Sequence, residues 1–258
     1  MAEERPRVSI VTVVLNGRSH VEGCIRSVLA QDYPAIEYHI VDGGSTDGTL
    51  DVIRRYEDRL TSWKSEPDRG IADAFNKGLA MANGDYVLFL NSDDLLAAPN
   101  AVGRAMRSAR EAGFPDIVFG DCDVVERESG ARLRTLKMAW SPLAFRLGRM
   151  INHPATFTHA SYFRKYGEFD ASFRIAMDFE LLARGILASR VLHVPGVLTL
   201  MRSGGVSTRD RDAAVNEIVR ALKKNSLVRS RAGELLVRGY WAARRVMRPL
   251  RRWPTTSG

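Results

Sequence analysis

The chain has 258 residues, 45% hydrophobic and 26% charged, the balance of a globular protein long enough to bury a sizeable core. Its formal net charge of +8 is placed late: eleven Lys and Arg residues lie between Arg220 and Arg252 against one acid, Glu234, so the remainder is close to neutral. Two cysteines without metal-ligand spacing, and no apolar run near the roughly 18 to 20 residues of a membrane span, argue against a disulfide framework, a zinc site and a transmembrane protein.

No apolar signal core precedes the first strand, so a cytoplasmic protein is expected. Val8 to Leu15 is rich in β-branched residues and stops at Asn16-Gly17, a buried strand and its turn. Val21, Cys24, Ile25, Val28 and Leu29 recur at three-four spacing and predict a helix to about Gln31. A second strand, Glu37 to Val41, ends in Asp42-Gly43-Gly44-Ser45-Thr46-Asp47-Gly48, where glycine lets backbone approach a ligand and the short polar side chains can cap a helix over 48–57. The same composition suits any connection between a strand and a helix, and no GxGxxG is present. A short strand near Leu60 to Lys64 leads to Glu66-Pro67-Asp68-Arg69-Gly70 and a helix from Ile71 to Met81 carrying Asp73, Asn76 and Lys77. The start of that helix suits a phosphate.

Tyr86 to Leu90 is a continuous apolar run that ends in Asn91-Ser92-Asp93-Asp94, a strand buried on both faces with acids at its tip. Carboxylates placed there can hold a divalent cation against a phosphate. A helix over 99–112, a strand from Asp116 to Gly120 and a hairpin over 121–137 turning at Glu128-Ser129-Gly130 follow. Helical pieces near 141–148 and 161–166 flank Asn152-His153-Pro154, and an acid, Asp178, introduces a further helix. Val191 to Leu200 reads as two short apolar strands around a turn at Pro195-Gly196, and Gly204 to Ser207 as a flexible loop. Helices over about 210–226 and 232–247 close the chain. Alternation of β and α in the first half and its loss in the second predict an α/β protein with a Rossmann-like sheet, parallel at first and mixed later, flanked by helices.

Taken in order, the strand Val8 to Asn16, the loop Val41 to Thr49, Ser65 to Gly70 with Asn76-Lys77-Gly78, and Leu90 to Asp94 resemble the family 2 glycosyltransferases, nucleotide-sugar enzymes with the GT-A fold. The likeness extends over about 7–205 and lies closest to the branch that builds bacterial surface polysaccharides and glycolipids. It implies an inverting transferase that takes a UDP-, GDP- or dTDP-sugar as donor and a hydroxyl of a glycan or lipid-linked molecule as acceptor. It also implies Mg2+ or Mn2+ held by Asp93, with Asp94 beside it as a second candidate ligand. Thr12 and Asp42 match positions that contact the nucleotide base, and Asn16, Gly44, Ser45, Asp68, Asn76, Lys77 and Asn91 complete the implied donor side. Asp178 stands in the place of the catalytic base, in Ala-Met-Asp where many members have Ala-Glu-Asp, and His153 is assigned to the acceptor side. Asn91 replaces the first aspartate of the usual DxD. These departures keep a non-catalytic nucleotide-sugar binder open, and a sugar nucleotidyltransferase shares the α/β nucleotide-binding plan, although no glycine-arginine-rich phosphate loop stands near the N-terminus.

The expected organisation is a transferase domain over 1–208 and a basic amphipathic helical tail over 209–258. Tyr240, Trp241, Val246, Met247, Leu250 and Trp253 interleaved with arginine suggest that the tail seeks an anionic membrane surface, giving peripheral attachment to the inner face of the cytoplasmic membrane, and no nucleic-acid partner is expected.

Overall fold

The computed structural model describes residues 5–205 and 210–247. Val206 and Ser207 of the expected loop, the expected boundary at 208, and Arg248, Leu250, Arg251, Arg252 and Trp253 of the expected membrane segment lie outside them. The elements run β1 (Val8–Val14), α1 (Arg18–Leu29), β2 (Ile36–Asp42), α2 (Thr49–Arg54), β3 (Ser62–Ser65), α3 (Ile71–Met81), β4 (Tyr86–Phe89), β5 (Leu95–Leu96) and α4 (Ala101–Glu111). They continue with β6 (Ile117–Val125), β7 (Arg132–Leu136), α5 (Pro142–Arg146), β8 (Thr156–His159), α6 (Ala160–Tyr166), α7 (Met177–Ala183), β9 (Val191–Arg202), α8 (Arg211–Lys224) and α9 (Arg231–Met247).

These strands form a nine-stranded sheet in the order β3-β2-β1-β4-β8-β6-β9-β5, with β7 paired to β6. The first four neighbours are parallel, as the alternation of β and α predicts. The remainder is mixed: β8 runs antiparallel to both β4 and β6, while β9 runs parallel to β6. Because β2 lies on one side of β1 and β4 on the other, the chain reverses its direction of travel across the sheet at β1/β4. In such a sheet the loops at the carboxyl ends part there and leave a crevice.

Side-chain alternation along β1 divides the core into two layers. Ile10 and Val14 face α1 and α4, with Val21, Ile25 and Val102, while Val11 and Val13 face α3 and the C-terminal half, with Phe75, Phe179 and Leu222. Cys24 and Cys122 are buried thiols, as expected of small hydrophobes.

Two expectations change. Val191 to Leu200 is not a pair of strands around a turn: β9 is continuous, and Pro195-Gly196 is absorbed as a bulge where its register against β6 skips from Val194 to Val197. A bulge takes a residue without a ladder N–H, and Gly196, at φ +95°, supplies the backbone that the step requires.

The basic helices also do not form a separate tail. Ile218, Val219, Ala221 and Leu222 of α8 and Val237 of α9 belong to the same buried cluster as Phe75 and Phe179. Trp241, read from sequence as a membrane-facing residue, packs against that cluster and donates its indole N–H to Leu147 O at 3.1 Å. The face of α9 turned to solvent instead carries Leu235 and Leu236, 61% and 64% exposed. No helix among the described residues is long and apolar enough to cross a membrane.

Gly148 is the contact that seats α9. It holds φ +82°, and a Cβ there would stand 2.6 Å from Ile218 Cγ2 and 2.9 Å from Trp241 Nε1. Gly148→Ala is therefore expected to cost about 2 kcal/mol, lowering Tm by about 4–8 °C for a chain of this size, as a thermal melt followed by circular dichroism would record.

Candidate active site

The crevice is built first from the tips of β1 and β2. Asn16, in the left-handed region at φ 52°, donates its backbone N–H to Ser45 Oγ at 2.7 Å and accepts from Thr46 N at 2.9 Å through Oδ1, tying the two loops together. Asp42 is wholly buried at the end of β2. Its Oδ2 accepts from the Gly44 and Ser45 amides at 3.0 and 2.9 Å and from Ser65 Oγ at 2.7 Å, while Oδ1 is buried without a partner. A buried acceptor left unpaired is costly, and a donor N–H from a ligand would satisfy it. Asp68 lies over the same loop: its Oδ1 accepts from Gly70 N at 2.9 Å, and a Cβ on Gly43 would stand 2.1 Å from its Oδ2. Only glycine at 43 allows that approach.

Three donor-side candidates have structural partners. Lys77 donates to Pro67 O at 2.9 Å and pairs with Glu66 and Asp73 at 3.1 and 3.4 Å, so it pins the 66–70 loop to α3. Asn76 points the other way, donating to Phe169 O at 2.9 Å and accepting from Phe169 N at 2.8 Å. Thr12 is not brought to the crevice. Its side chain faces α1, wholly buried, and its Oγ1 accepts from Tyr38 Oη at 3.1 Å.

At the tip of β4 the structure separates the two acids. Asp94 is buried and accepts from Asn91 Nδ2 at 3.0 Å; burial, together with the charge of Asp93, pushes its carboxyl up to about 8. Asp93 is partly exposed, and Arg127, from the hairpin between β6 and β7, donates to its Oδ2 at 2.6 Å while holding Ser203 O at 3.2 Å. Among the described residues no cluster of three or more His, Cys, Asp or Glu side chains has metal-site geometry. One accessible carboxylate nevertheless fits Mg2+ or Mn2+, because such ions are commonly held by one or two protein oxygens plus the phosphates of a substrate. Asp93 meets that requirement. Asp94, buried and bonded to Asn91, does not.

Opposite stands Asp178, the second residue of α7. Its Oδ1 accepts from the Phe179 amide at 2.7 Å, and its Oδ2 lies 3.7 Å from His153 Nδ1, a close approach too long for a hydrogen bond. Burial depresses the imidazole's proton affinity, although the Asp178 charge opposes this, so His153 stands beside the carboxylate in its neutral form. The His153 ring stacks on Phe75 at 5.6 Å, and Phe75 stacks on Phe89 at 4.6 Å. Phe89 is the last residue of β4, so this aromatic column joins the acid tip of the strand to Asp178. Met177, the departure from the usual acid, points into the core, 4% exposed.

What holds Asp178 comes from α8. Glu217 accepts from the backbone amides of Arg174, Ile175 and Ala176 at 2.9, 2.8 and 2.8 Å, the three residues that lead into α7. Farther along, Lys224 pairs with Asp170 at 2.7 Å and Glu180 at 2.8 Å. Sequence reading missed both Glu217 and Arg127. Each is an ordinary charged residue in a helix or hairpin, and nothing local marks its partner 41 or 34 positions away.

The family model "Glycosyl transferase family 2" matches residues 9–171. A PGL/p-HBAD biosynthesis glycosyltransferase of Mycobacterium bovis is 30% identical over 214 residues, 78% of this chain and 79% of the relative. Among solved structures, residues 1–349 of S. aureus TarS in complex with UDP-GlcNAc superpose with a TM-score of 0.68 at 17% identity, covering 96% of this chain and 76% of TarS. The mannosyltransferase PcManGT of Pyrobaculum calidifontis, in complex with GDP-Man and Mn2+, gives a TM-score of 0.64 at 19% identity over 95% of this chain and 76% of that one. At such identities the two structures establish the GT-A fold and nothing finer.

Glu217 carries its own prediction. Burial works against its charge, but the three amide bonds outweigh it and hold the carboxyl below the ordinary glutamate range. The stabilisation is thus fully present above that range and is lost as pH falls through the lowered native value. Glu217→Ala should cost about 2–3 kcal/mol at pH 7, and the gap between parent and variant should narrow below about pH 4 in chemical denaturation followed over pH. A gap of constant size would remove the charge from the account.

Proposed function

The chain belongs to glycosyltransferase family 2, and from that membership we propose that it is an inverting transferase that moves a sugar from a nucleoside-diphospho-sugar to an acceptor hydroxyl. The observation that carries the proposal is Asp178, held at the head of α7, flanked by His153 and joined by the Phe75/Phe89 column to β4, the strand that leads into Asn91 and Asp93. The donor belongs in the crevice of Asn16, Asp42, Gly44, Ser45 and Asp68. There the unpartnered Asp42 Oδ1 suits an N–H of the base, and the Gly43 to Ser45 backbone can approach the ribose or phosphates. That TarS was solved with UDP-GlcNAc and PcManGT with GDP-Man supports a nucleotide-sugar donor.

Asp178 takes the proton of the acceptor hydroxyl as that oxygen attacks the anomeric carbon. The new C–O bond forms as the bond to the diphosphate breaks on the opposite face, so one displacement inverts the configuration. His153 and the Phe179 amide keep the carboxylate in place; an uncharged imidazole contributes contact without drawing off the carboxylate's charge. Asp93 would hold Mg2+ or Mn2+, which, when bound, neutralises charge on the departing diphosphate. Arg127 already sets one positive charge beside Asp93 and ties it to Ser203 at the end of β9.

The expected result, with a panel of UDP-, GDP- and dTDP-sugars, is nucleoside diphosphate release that EDTA abolishes and Mn2+ restores. Asp178→Asn should lower kcat by about 10^2–10^4 with the donor KM little changed. Turnover of the variant at the parent's rate under saturating donor would place the base elsewhere, and donor binding without any turnover would leave a nucleotide-sugar binder.

The proposal extends to an anionic membrane face. Leu235 and Leu236 of α9 are exposed beside Arg231 and Arg238, an apolar strip edged with cations. The protein should pellet with vesicles containing phosphatidylglycerol, and Leu235→Asp with Leu236→Asp should cut pelleting at least fivefold without lowering Tm. Equal pelleting would discard this face as the contact.

A further inference from the structure

Asp178 also stands in the wall of a cavity of about 780 Å³, partly open to solvent, between the head of α7, the 148–150 turn, α8 and α9. Its volume lies in the range of small-molecule sites. Resting on the transferase reading above, we propose that this cavity is the acceptor site and that the acceptor is an amphiphile: an apolar chain or ring system carrying an acidic group such as a phosphate.

The walls supply the first half of the argument. Met150, Ile175, Val215, Ile218 and Trp241 line the cavity with aliphatic and aromatic surface. A free glycan would set its hydroxyls against carbon there, and a hydroxyl taken out of water without a partner opposes binding. An alkyl or aryl body meets no such penalty and gains from leaving water.

Charge supplies the second half. Arg211, Arg238, Arg244 and Arg245 line the cavity, and the acids among its lining residues are Asp178 and Asp212. Two of these guanidinium groups are held in place. Arg238 donates to Glu234 Oε1 at 3.0 Å and Asn216 Oδ1 at 2.7 Å, and Arg244 donates to Tyr240 Oη at 2.7 Å while lying 5.7 Å from the centre of the Trp241 ring. Arg245 meets Asp212 at 3.4 Å with both side chains well exposed, a weak pair that an anion can replace. Arginine presents paired N–H groups that match phosphate oxygens, so the cations favour an acidic group over a neutral one. An acceptor bound by its apolar body and its anionic group would bring a nearby hydroxyl to the carboxylate in the wall.

The test is a calorimetric titration of the full chain with decyl phosphate, decyl maltoside and inorganic phosphate below the micellar concentrations of the amphiphiles. Decyl phosphate should bind at least tenfold tighter than decyl maltoside, and inorganic phosphate should show no comparable binding. Val215→Trp and Ala242→Phe, which fill the cavity from facing helices, should each weaken decyl phosphate at least tenfold. Arg244→Ala with Arg245→Ala should weaken decyl phosphate while leaving decyl maltoside within twofold, and thermal melts establish that each variant is folded. Decyl phosphate should also slow transfer without changing the donor KM. Unaltered affinity in both filled variants would overturn the site, and equal affinity for the two amphiphiles would overturn its preference for an acid.

Donor turnover is measured separately on the unmodified protein. Its absence would sink the transferase reading and the acceptor role with it, whereas turnover together with unaltered binding in the filled variants would sink the acceptor site alone.

Discussion

One carboxylate, Glu217, organises the chemically active half of this protein. The backbone from Arg174 to Ala176 must turn sharply into α7 with three successive N–H groups pointing the same way, and a helix start leaves such groups unpaired. A side chain from α8 takes all three. That contact adds to the burial of Phe179 and the Lys224–Glu180 pair in keeping Asp178 beside His153, since α7 has only 7 residues and little stability of its own. The position of the candidate base is thus set by a helix that begins more than thirty residues later in the chain.

The two halves of the crevice are built on different physical terms. The proposed donor side consists of strand tips, where the parallel pairing of β1 with β2 fixes Asp42 and the loops bind one another through Asn16, Ser45 and Asp42. The proposed acceptor side has no ladder beneath it. It is assembled from α7, α8, α9 and the turn at Gly148, and its order comes from ion pairs, capped amides and the seating of Trp241. Such a wall can change its lining without disturbing the sheet.

The acid pair at 93 and 94 shows how far burial can separate neighbours. The two acids lie in the turn between β4 and β5, closed by Asp94 N–H donating to Asn91 O at 2.9 Å, and there Asp93 meets solvent and Arg127 while Asp94 turns inward onto Asn91. Desolvation then makes charge expensive for Asp94. Two identical residues become a candidate ligand and a buried structural acid, and Asn91, an amide that can donate where an aspartate could not, is the residue that meets the second.

Much of this was written locally. Continuous apolar and β-branched runs from Val8, Glu37 and Tyr86, three-four spacing in α1, and polar turns at the strand ends are consequences of backbone geometry acting over a few residues, so the parallel half of the sheet and the acids beyond its strand ends could be read from the chain alone, while the family resemblance singled out Asp178. The bulge at Pro195-Gly196, strand β8 between β4 and β6, the inward turn of Thr12, the partnership of Asn76 with Phe169, and the roles of Arg127 and Glu217 could not. Each depends on a contact between residues far apart in sequence. Composition made the last two helices look like a detachable basic tail, because hydrophobic spacing shows that a helix has an apolar face but not what covers it. Tertiary packing decided that: the face meets the core beside Asp178, and the arginines that looked like a surface charge run line the cavity next to the candidate base.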